Sequence, residues 1–274
     1  MEYNDQQLDK LLGTESISFA KYRTLSVDNG SDLAGTGATG VFVEKAFNDT
    51  TKTIEKKEFA KTFQGVILST KAQLVDKGKK PTWRTEEFDI YDKDYQIAIY
   101  PLLDGKFVKD SSGEIKVSHA TYQEIKRSRS VVQPNGTLQS TYNYMIVLYV
   151  GVGEEIIKLK FKGTARGNYF DYSKAVNKTR IKIYNLMTEF STFLDKETAK
   201  YTIGFRIVKD ENGIPVEVDY DSVRNLRIDV AKGLTQFSHK QLPAPSSDQD
   251  EPEVEYEPDY SNVVQDEIAD VPVN

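Results

Sequence analysis

The sequence predicts a mainly β protein, and three observations support this. Tyr142 to Val150 is an almost unbroken run of β-branched and aromatic residues, which is typical of a strand buried on both faces. From Ile157 to Phe161, apolar residues alternate with lysines, as they do in a strand with one face in a core. Turn pairs such as Asp104-Gly105 separate the short apolar segments. Long helical patterns are few, so the fold class is a β-dominated α+β protein.

The pattern predicts the individual elements along the chain. Gly151 to Gly153 joins the two central strands into a hairpin. Segment 180–194 fits a strand and a helix equally well, and both remain open. Segment 221–237 has the apolar spacing of a closing helix. Further strands are predicted at 63–75, with a bulge or bend at Gly65, and at 97–102 and 201–208.

The chain divides into three parts by composition. Residues 1–62 are expected to form an N-terminal extension packed on the core, with a Gly-rich loop at 28–40. Residues 63–240 form the core with its C-terminal helix. Closely spaced strands favour a Greek-key barrel of the oligonucleotide-binding type with long insertions, capped by segment 163–178. Residues 241–274 are rich in acids, proline and serine, so a disordered tail is predicted.

The charges are segregated along the chain. The formal net charge is −6, but ten acids and no Lys or Arg follow Lys240. Residues 1–240 therefore carry a positive balance, and a basic body is joined to an acidic tail. Such a tail can compete with an anionic ligand for the body.

Composition also excludes several classes of protein. Without any cysteine there is no disulfide, thiolate metal site or cysteine nucleophile, and the chain fits a reducing cytoplasm. No apolar run approaches the roughly 20 residues that span a bilayer, and the polar start is unlike a signal peptide. The two histidines, His119 and His239, are far apart. We therefore expect a soluble, cytoplasmic protein that is not an enzyme, with no cofactor, catalytic residue or metal ligand.

The central hairpin and the segment after it combine cations with aromatic rings. Cations on a strand face release counterions from a phosphate backbone, and rings stack on bases with little sequence preference. An exposed face that serves only solubility is the alternative for the lysines, and core packing is the alternative for Trp83. The predicted nucleic-acid-binding residues are Trp83, Arg84, Lys158, Lys160, Lys162, Arg166, Tyr169, Phe170 and Lys174.

A strand-rich basic body with an acidic, proline-containing C-terminal tail resembles the single-stranded DNA-binding proteins of bacteria and their phages. The resemblance is one of layout, and the Tyr-rich and Lys-rich body with long insertions is more similar to the phage type. It implies a protein that coats single-stranded DNA in replication, recombination or repair. It also implies that the tail end recruits replication or recombination proteins through Asp266, Glu267, Ile268, Asp270, Val271, Pro272 and Val273.

Two functions from other classes remain open, and so does homo-oligomer formation. The body could be a structural or assembly protein of a phage particle, with the tail as a solubilising arm. Alternatively, Asp104 or Asp110 with Glu114 and Lys116 has the loose acid–acid–lysine spacing of magnesium nucleases.

Overall fold

A computed structural model describes residues 22–29, 39–48, 53–78, 80–89, 92 and 94–235. The described chain is dominated by strands, which confirms the mainly β class. Its strands are β1 (Arg23–Val27), β2 (Phe42–Asn48), β3 (Thr53–Ala60), β4 (Thr62–Asp76), β5 (Trp83–Thr85), β6 (Ile97–Leu103), β7 (Lys106–Phe107), β8 (Ser118–Ala120), β9 (Ser130–Val132), β10 (Leu138–Ser140), β11 (Tyr142–Val152), β12 (Glu155–Phe161), β13 (Met187–Asp195) and β14 (Lys200–Ile207). Its helices are α1 (Tyr122–Ser128), α2 (Thr164–Thr179) and α3 (Tyr220–Thr235), with a 3₁₀ turn at Ile183–Asn185.

Twelve of these strands form one mixed sheet. Its main path runs β3-β2-β1-β12-β11-β4-β5-β6-β7, with β8 on β6 and with β13 and β14 joined through β4. The pair β1–β12 is parallel, and the other pairs are antiparallel. A separate hairpin is made by β9 and β10.

The sheet is open, whereas the sequence favoured a closed Greek-key barrel. The path ends at β3 and β7, which do not pair with each other. The reason lies in β4, whose fifteen residues are long enough to hold two neighbours along one edge. Segment 62–66 pairs with β13, while Ala72 bridges Phe88 and Val75 pairs with β5. The sheet therefore forks at β4 instead of curling round to close.

Helices cover both faces of the central strands. Ile146 and Leu148 of β11 face a core that includes Tyr169 and Tyr172 of α2. The alternate residues Val147 and Tyr149 face the opposite side, where α3 contributes its own apolar residues. A third cluster joins Trp83, Phe88 and Ile97 to Ile125 of α1. Because strand residues alternate between faces, β11 is buried on both sides, as its composition predicted.

The central hairpin has the predicted strands. Leu148 of β11 lies opposite Leu159 of β12, and Gly153 takes a positive φ of 59° in the turn between them. The predicted irregularity in β4 lies near Leu68 instead of Gly65, since Tyr149 opposes Ser69 and Val150 opposes Ile67. Gly65 has a different role. A Cβ there would lie 2.6 Å from the carbonyl oxygen of Gly151, so the close strands admit only glycine.

Two ambiguous or terminal segments are settled by the structure. From Met187 onward, segment 180–194 is strand β13, which pairs with β4, and a 3₁₀ turn at Ile183–Asn185 precedes it. The predicted closing helix is α3, which packs Val223 and Val230 on the sheet. Positions 30–38 of the predicted Gly-rich loop and the predicted disordered tail at 241–274 fall outside the described residues. Among the described helices, none has the length and apolar character to cross a membrane.

Candidate nucleic-acid interface

Lys158 and Lys160 of β12 share one side of the strand with Lys162, which directly follows it, but the three lysines do not form an exposed row. Only about 5% of the Lys158 side chain is exposed, and its Nζ lies 2.5 Å from Oε1 of Glu87. Lys160 is about one-quarter exposed and lies 3.1 Å from the same oxygen. Lys162 is exposed and donates a hydrogen bond of 3.1 Å to Oδ1 of Asn143. The period of two is as predicted, but segment 85–88 covers the first two lysines.

Glu87 is the anion around which this buried group is organised. Tyr149 donates a hydrogen bond of 2.8 Å to its second oxygen. Burial would raise the pKa of the Glu87 carboxyl, but the ammonium groups of Lys158 and Lys160 outweigh it and hold that pKa below its ordinary value. Burial lowers the pKa of Lys158 to about 8, against the opposing effect of Glu87. Lys158 and Lys160 are thus bound to a carboxylate and do not face a ligand surface together.

Most of the predicted aromatic residues pack in the core. Helical spacing turns Tyr169 inward, where it is 1% exposed and its hydroxyl lies 2.6 Å from that of Thr70. Phe170 is half-buried beside it, with ring centroids 6.0 Å apart. Trp83 is also buried, and the guanidinium of Arg129 lies 5.0 Å from its ring. These rings cannot stack on a base without leaving their neighbours.

The remaining predicted cations lie in different places. The guanidinium of Arg84 stacks 4.5 Å from the ring of Phe107, and burial lowers its pKa. Lys174 is half exposed and lies 3.5 Å from Asp171 on the same helix. Arg166 and Lys162, in contrast, line the same cleft. Of the nine predicted residues, the structure therefore brings these two together at an open surface.

This basic cleft has a volume of about 360 Å³ and lies where several elements end. Its lining comes from the residues that follow β4 and β12, from α1, from the β9–β10 hairpin, from the start of β11 and from the start of α2. Among the described residues that line it, none is an Asp or a Glu. The lining consists of Lys77, Tyr122, Lys126, Ser130, Ser140, Tyr142, Asn143, Tyr144, Lys162, Gly163 and Arg166.

Strand register explains how the cations of the cleft meet. Tyr142 pairs with Asp76, and the amide of Lys77 donates to the carbonyl of Thr141, so Lys77 lies beside the start of β11. Its ammonium group donates 2.7 Å to the carbonyl of Ser140. On the other side, Lys162 reaches Asn143 from the end of β12. Each ammonium group has three donors, so these contacts with neutral oxygens leave donors for an anion.

Tyrosine rings lie among these cations. The guanidinium of Arg166 is 5.2 Å from the ring of Tyr144, and that ring meets Tyr122 edge-on at 5.9 Å. Tyr122 and Tyr144 are half-buried. Both rings pack on the apolar cluster around Trp83, and both also line the cleft. Rings held in this way are positioned to stack on a base at little entropic cost.

The start of α2 adds a favourable dipole. Gly163 precedes the helix with a φ of 62°, and no side chain caps the first turn. Gly163 and Arg166 line the cleft, so the positive end of this sixteen-residue helix lies beside it, and Thr164 of the same end donates to Asp195.

Sequence reasoning missed Lys77, Lys126 and the tyrosines of this cleft. A usable signal was present for two of them. Thr121 and Glu124 form a capping box, which predicts a helix starting at Tyr122. Tyr122 and Lys126 are then four residues apart and share one helix face. For Lys77 and Tyr142 the long-range pairing of β4 with β11 was needed.

The carboxylates of the predicted nuclease site have structural partners. Asp104 pairs with Lys80 at 3.0 Å, and both side chains are exposed. Asp110 accepts hydrogen bonds from the amides of Ser112 and Glu114 and so holds a turn. Within the described ranges, no three His, Asp or Glu side chains come together as a metal site. The predicted tail residues 266–273 lie outside those ranges.

Comparisons with known proteins give no match: neither a family model, nor a curated protein, nor a solved structure is similar to this chain.

Proposed function

We propose that this protein binds single-stranded DNA in the basic cleft and that it does so without catalysis. One observation carries the proposal: four cations and three tyrosine rings line one open cleft, and no acid is among the described residues that line it. Cations neutralise phosphates, and rings stack on unpaired bases, which duplex DNA does not offer. Such contacts have weak sequence preference, which suits a protein that coats DNA in replication, recombination or repair.

We also propose a cytoplasmic location and a regulatory role for the acidic tail. The absence of cysteine is compatible with the reducing cytoplasm of a bacterial cell or a phage-infected host. The acidic tail would weaken binding at low salt and recruit replication or recombination proteins through residues 266–273. Lys162 and Arg166 keep the role that the sequence suggested, while Lys77, Lys126, Tyr122 and Tyr144 replace the buried members of the set.

The test is the salt dependence of binding to a fluorescent oligo-dT. Replacing Lys77, Lys126, Lys162 and Arg166 together by Ala should weaken binding and flatten the slope of log K against log salt by about 3, since each phosphate contact on a single strand contributes about 0.7. A matched control replaces four exposed lysines elsewhere, Lys57, Lys109, Lys116 and Lys200. An equal change in both variants, or no binding by the wild type, would overturn the proposal.

Stacking is tested separately from charge. Tyr144→Ala should cost about 1–3 kcal/mol of affinity for oligo-dT with an unchanged salt slope. Tyr144→Phe keeps the ring and should bind as the wild type does. Duplex DNA and RNA of the same length, used as competitors, show whether single-stranded DNA is preferred.

A role in assembly has one observation in its favour. The β9–β10 hairpin exposes apolar side chains, with Val132 66% and Val131 54% exposed, and Leu103 of β6 is 70% exposed. Val132 lies opposite Leu138, which is also exposed, and apolar side chains exposed side by side are typical of protein contacts. A phage structural or assembly protein would form ordered oligomers in sedimentation experiments without DNA, and Val132→Lys would disperse them.

A further inference from the structure

A second open feature of the molecule is a groove between α2 and β14. It has a volume of about 810 Å³ and is lined mainly by apolar and small groups. On the helix side lie Tyr172 and Ala175, and on the strand side lie Phe205 and Ile207. Phe193 of β13 stands next to it and is 45% exposed. The groove shares none of its lining with the basic cleft.

The groove follows an incompletely covered edge of the sheet. Among the described strands, β14 pairs only with β13. The amide of Val208 donates to the carbonyl of Met187 in the β13–β14 pair. In an antiparallel pair, every second residue bonds the partner strand, so residues 201, 203, 205 and 207 direct their amides and carbonyls away from β13. Asn29 accepts the amide of Tyr201, and Asn168 donates to the carbonyl of Ile203. Within the described part of the chain, the edge is thus covered along its first half and open at Phe205 and Ile207.

The chain itself contains a segment that matches this opening. Glu253-Val254-Glu255-Tyr256-Glu257 alternates acids with apolar residues, which is the period of a strand with two unlike faces. Pro252 and Pro258 flank it, and since proline lacks an amide donor they limit pairing to these five residues. The residue before a proline also favours an extended backbone.

The charges at the groove and the length of the connecting segment are compatible with this segment as the occupant. Lys209 and Arg206 stand at the rim of the groove, and Arg206 also pairs with Glu189 at 2.7 Å. Asp171 is the acid at the rim, and Lys174 pairs with it. The eighteen residues from Gln236 to Glu253 connect α3 to this segment and extend up to about 60 Å.

We propose that Glu253–Glu257 adds to the outer edge of β14 as a further strand of the same molecule. Its backbone bonds the outward groups of Phe205 and Ile207. Val254 and Tyr256 fill the apolar groove against α2, and the glutamates face Arg206. Strand addition of this kind draws affinity from backbone hydrogen bonds and specificity from alternate side chains.

Cross-linking tests the placement, because the chain has no cysteine of its own. Arg206→Cys is combined in turn with a cysteine at each position from Glu253 to Glu257 in the full chain. Mild oxidation should give a monomeric disulfide, formed at least about five times faster at 253, 255 and 257 than at 254 and 256, since alternate residues face opposite sides. Lys196→Cys, exposed at the far end of the same hairpin, is the control partner.

Three results would overturn the proposal. Equal rates with Lys196 would mean random collision of the tail. Disulfides only between molecules would make a second copy the occupant. No disulfide at all would leave the edge without this segment.

Hydrogen exchange gives an independent readout on the unmodified backbone. In the full chain, the amides of Phe205 and Ile207 should be protected, and Val254→Asp with Tyr256→Asp should speed their exchange by at least about tenfold. The control variant, Val263→Asp with Val264→Asp, changes the tail equally outside the segment and should leave both amides as they are. If both variants behave alike, or neither changes the exchange, the segment does not cover β14. DNA binding through the basic cleft is unaffected by either outcome.

Discussion

At the scale of single residues, Glu87 decides how the sheet tolerates its buried lysines. Lys158 is 4% exposed and Lys160 is next to it, and both bond one carboxylate that also accepts from Tyr149. A buried charge that loses its partner is far more costly than a pair that is replaced by apolar groups. Replacing Glu87 should therefore destabilise the protein more than replacing any one of its partners.

Glu87→Gln should lower the free energy of unfolding by about 3–5 kcal/mol, because it leaves Lys158 buried without an anion. Lys158→Met should cost less, since Glu87 keeps Lys160 and Tyr149 as partners. Urea denaturation of the two variants compares them directly. A larger loss of unfolding free energy in Lys158→Met than in Glu87→Gln would contradict this account.

The lowered pKa of Lys158 also predicts a pH dependence. Its folded value of about 8 lies below that of an unfolded lysine, roughly 10.4, so the unfolded chain binds more protons between these values. The contribution of Lys158 to the free energy of unfolding should therefore rise with pH across this window. The difference between wild type and Lys158→Met, measured by urea denaturation at pH 7.5, 8.5 and 9.5, should shift in favour of the wild type. A flat difference would place the ammonium group in a more polar environment.

At the scale of elements, the short helix α1 determines one wall of the basic cleft. Its seven residues carry Tyr122 and Lys126, and it begins with the capping box of Thr121 and Glu124. A helix of this length depends on its cap, because its nucleation is unfavourable. The cap thus acts on ligand binding from outside the cleft.

Thr121→Ala should destabilise α1 by about 1 kcal/mol and weaken oligo-dT binding by up to about tenfold. Thr121→Ser keeps the hydroxyl acceptor and should restore both properties. Affinity is measured by fluorescence anisotropy, and amide exchange in α1 reports the helix itself. Loss of affinity without faster amide exchange in α1 would show that the cap does not affect binding through the stability of the helix.

Elements could be predicted where the pattern is local, and contacts could not where partners are distant. The β11–β12 hairpin, β4, β14 and α3 follow from period, turn residues and apolar spacing. The same period put Lys158 and Lys160 on a common face but could not show that Glu87 covers it. Tyr169 was misassigned because the segment 164–179 is helical, and helical spacing turns that ring inward. The cleft depends on the pairing of β4 with β11, which no local pattern reveals.

At the scale of the whole molecule, one chain joins a body of net positive charge to a tail of net negative charge. The ten acids after Lys240 are a local source of polyanion for any cationic surface within reach. Their effect is screened by salt, with a Debye length of about 10 Å at 0.1 M.

Deleting residues 241–274 should tighten binding to oligo-dT at low salt, and the gain should fade as salt is raised. A control chain keeps the full length but carries Asn or Gln at the ten acidic positions, and it should match the deletion. Titrations at several salt concentrations make the comparison. Equal affinity of all three chains at low salt would remove the competing role of the tail.

The parallel pairing of β1 with β12 has a consequence for synthesis. Arg23 lies opposite Ile157, and β2 and β3 join the sheet through β1. On the ribosome, these first strands emerge long before the strand that receives them. They lack this partner until the middle of the chain has been translated, so we expect a chaperone that shields nascent strands to act on β1 to β3.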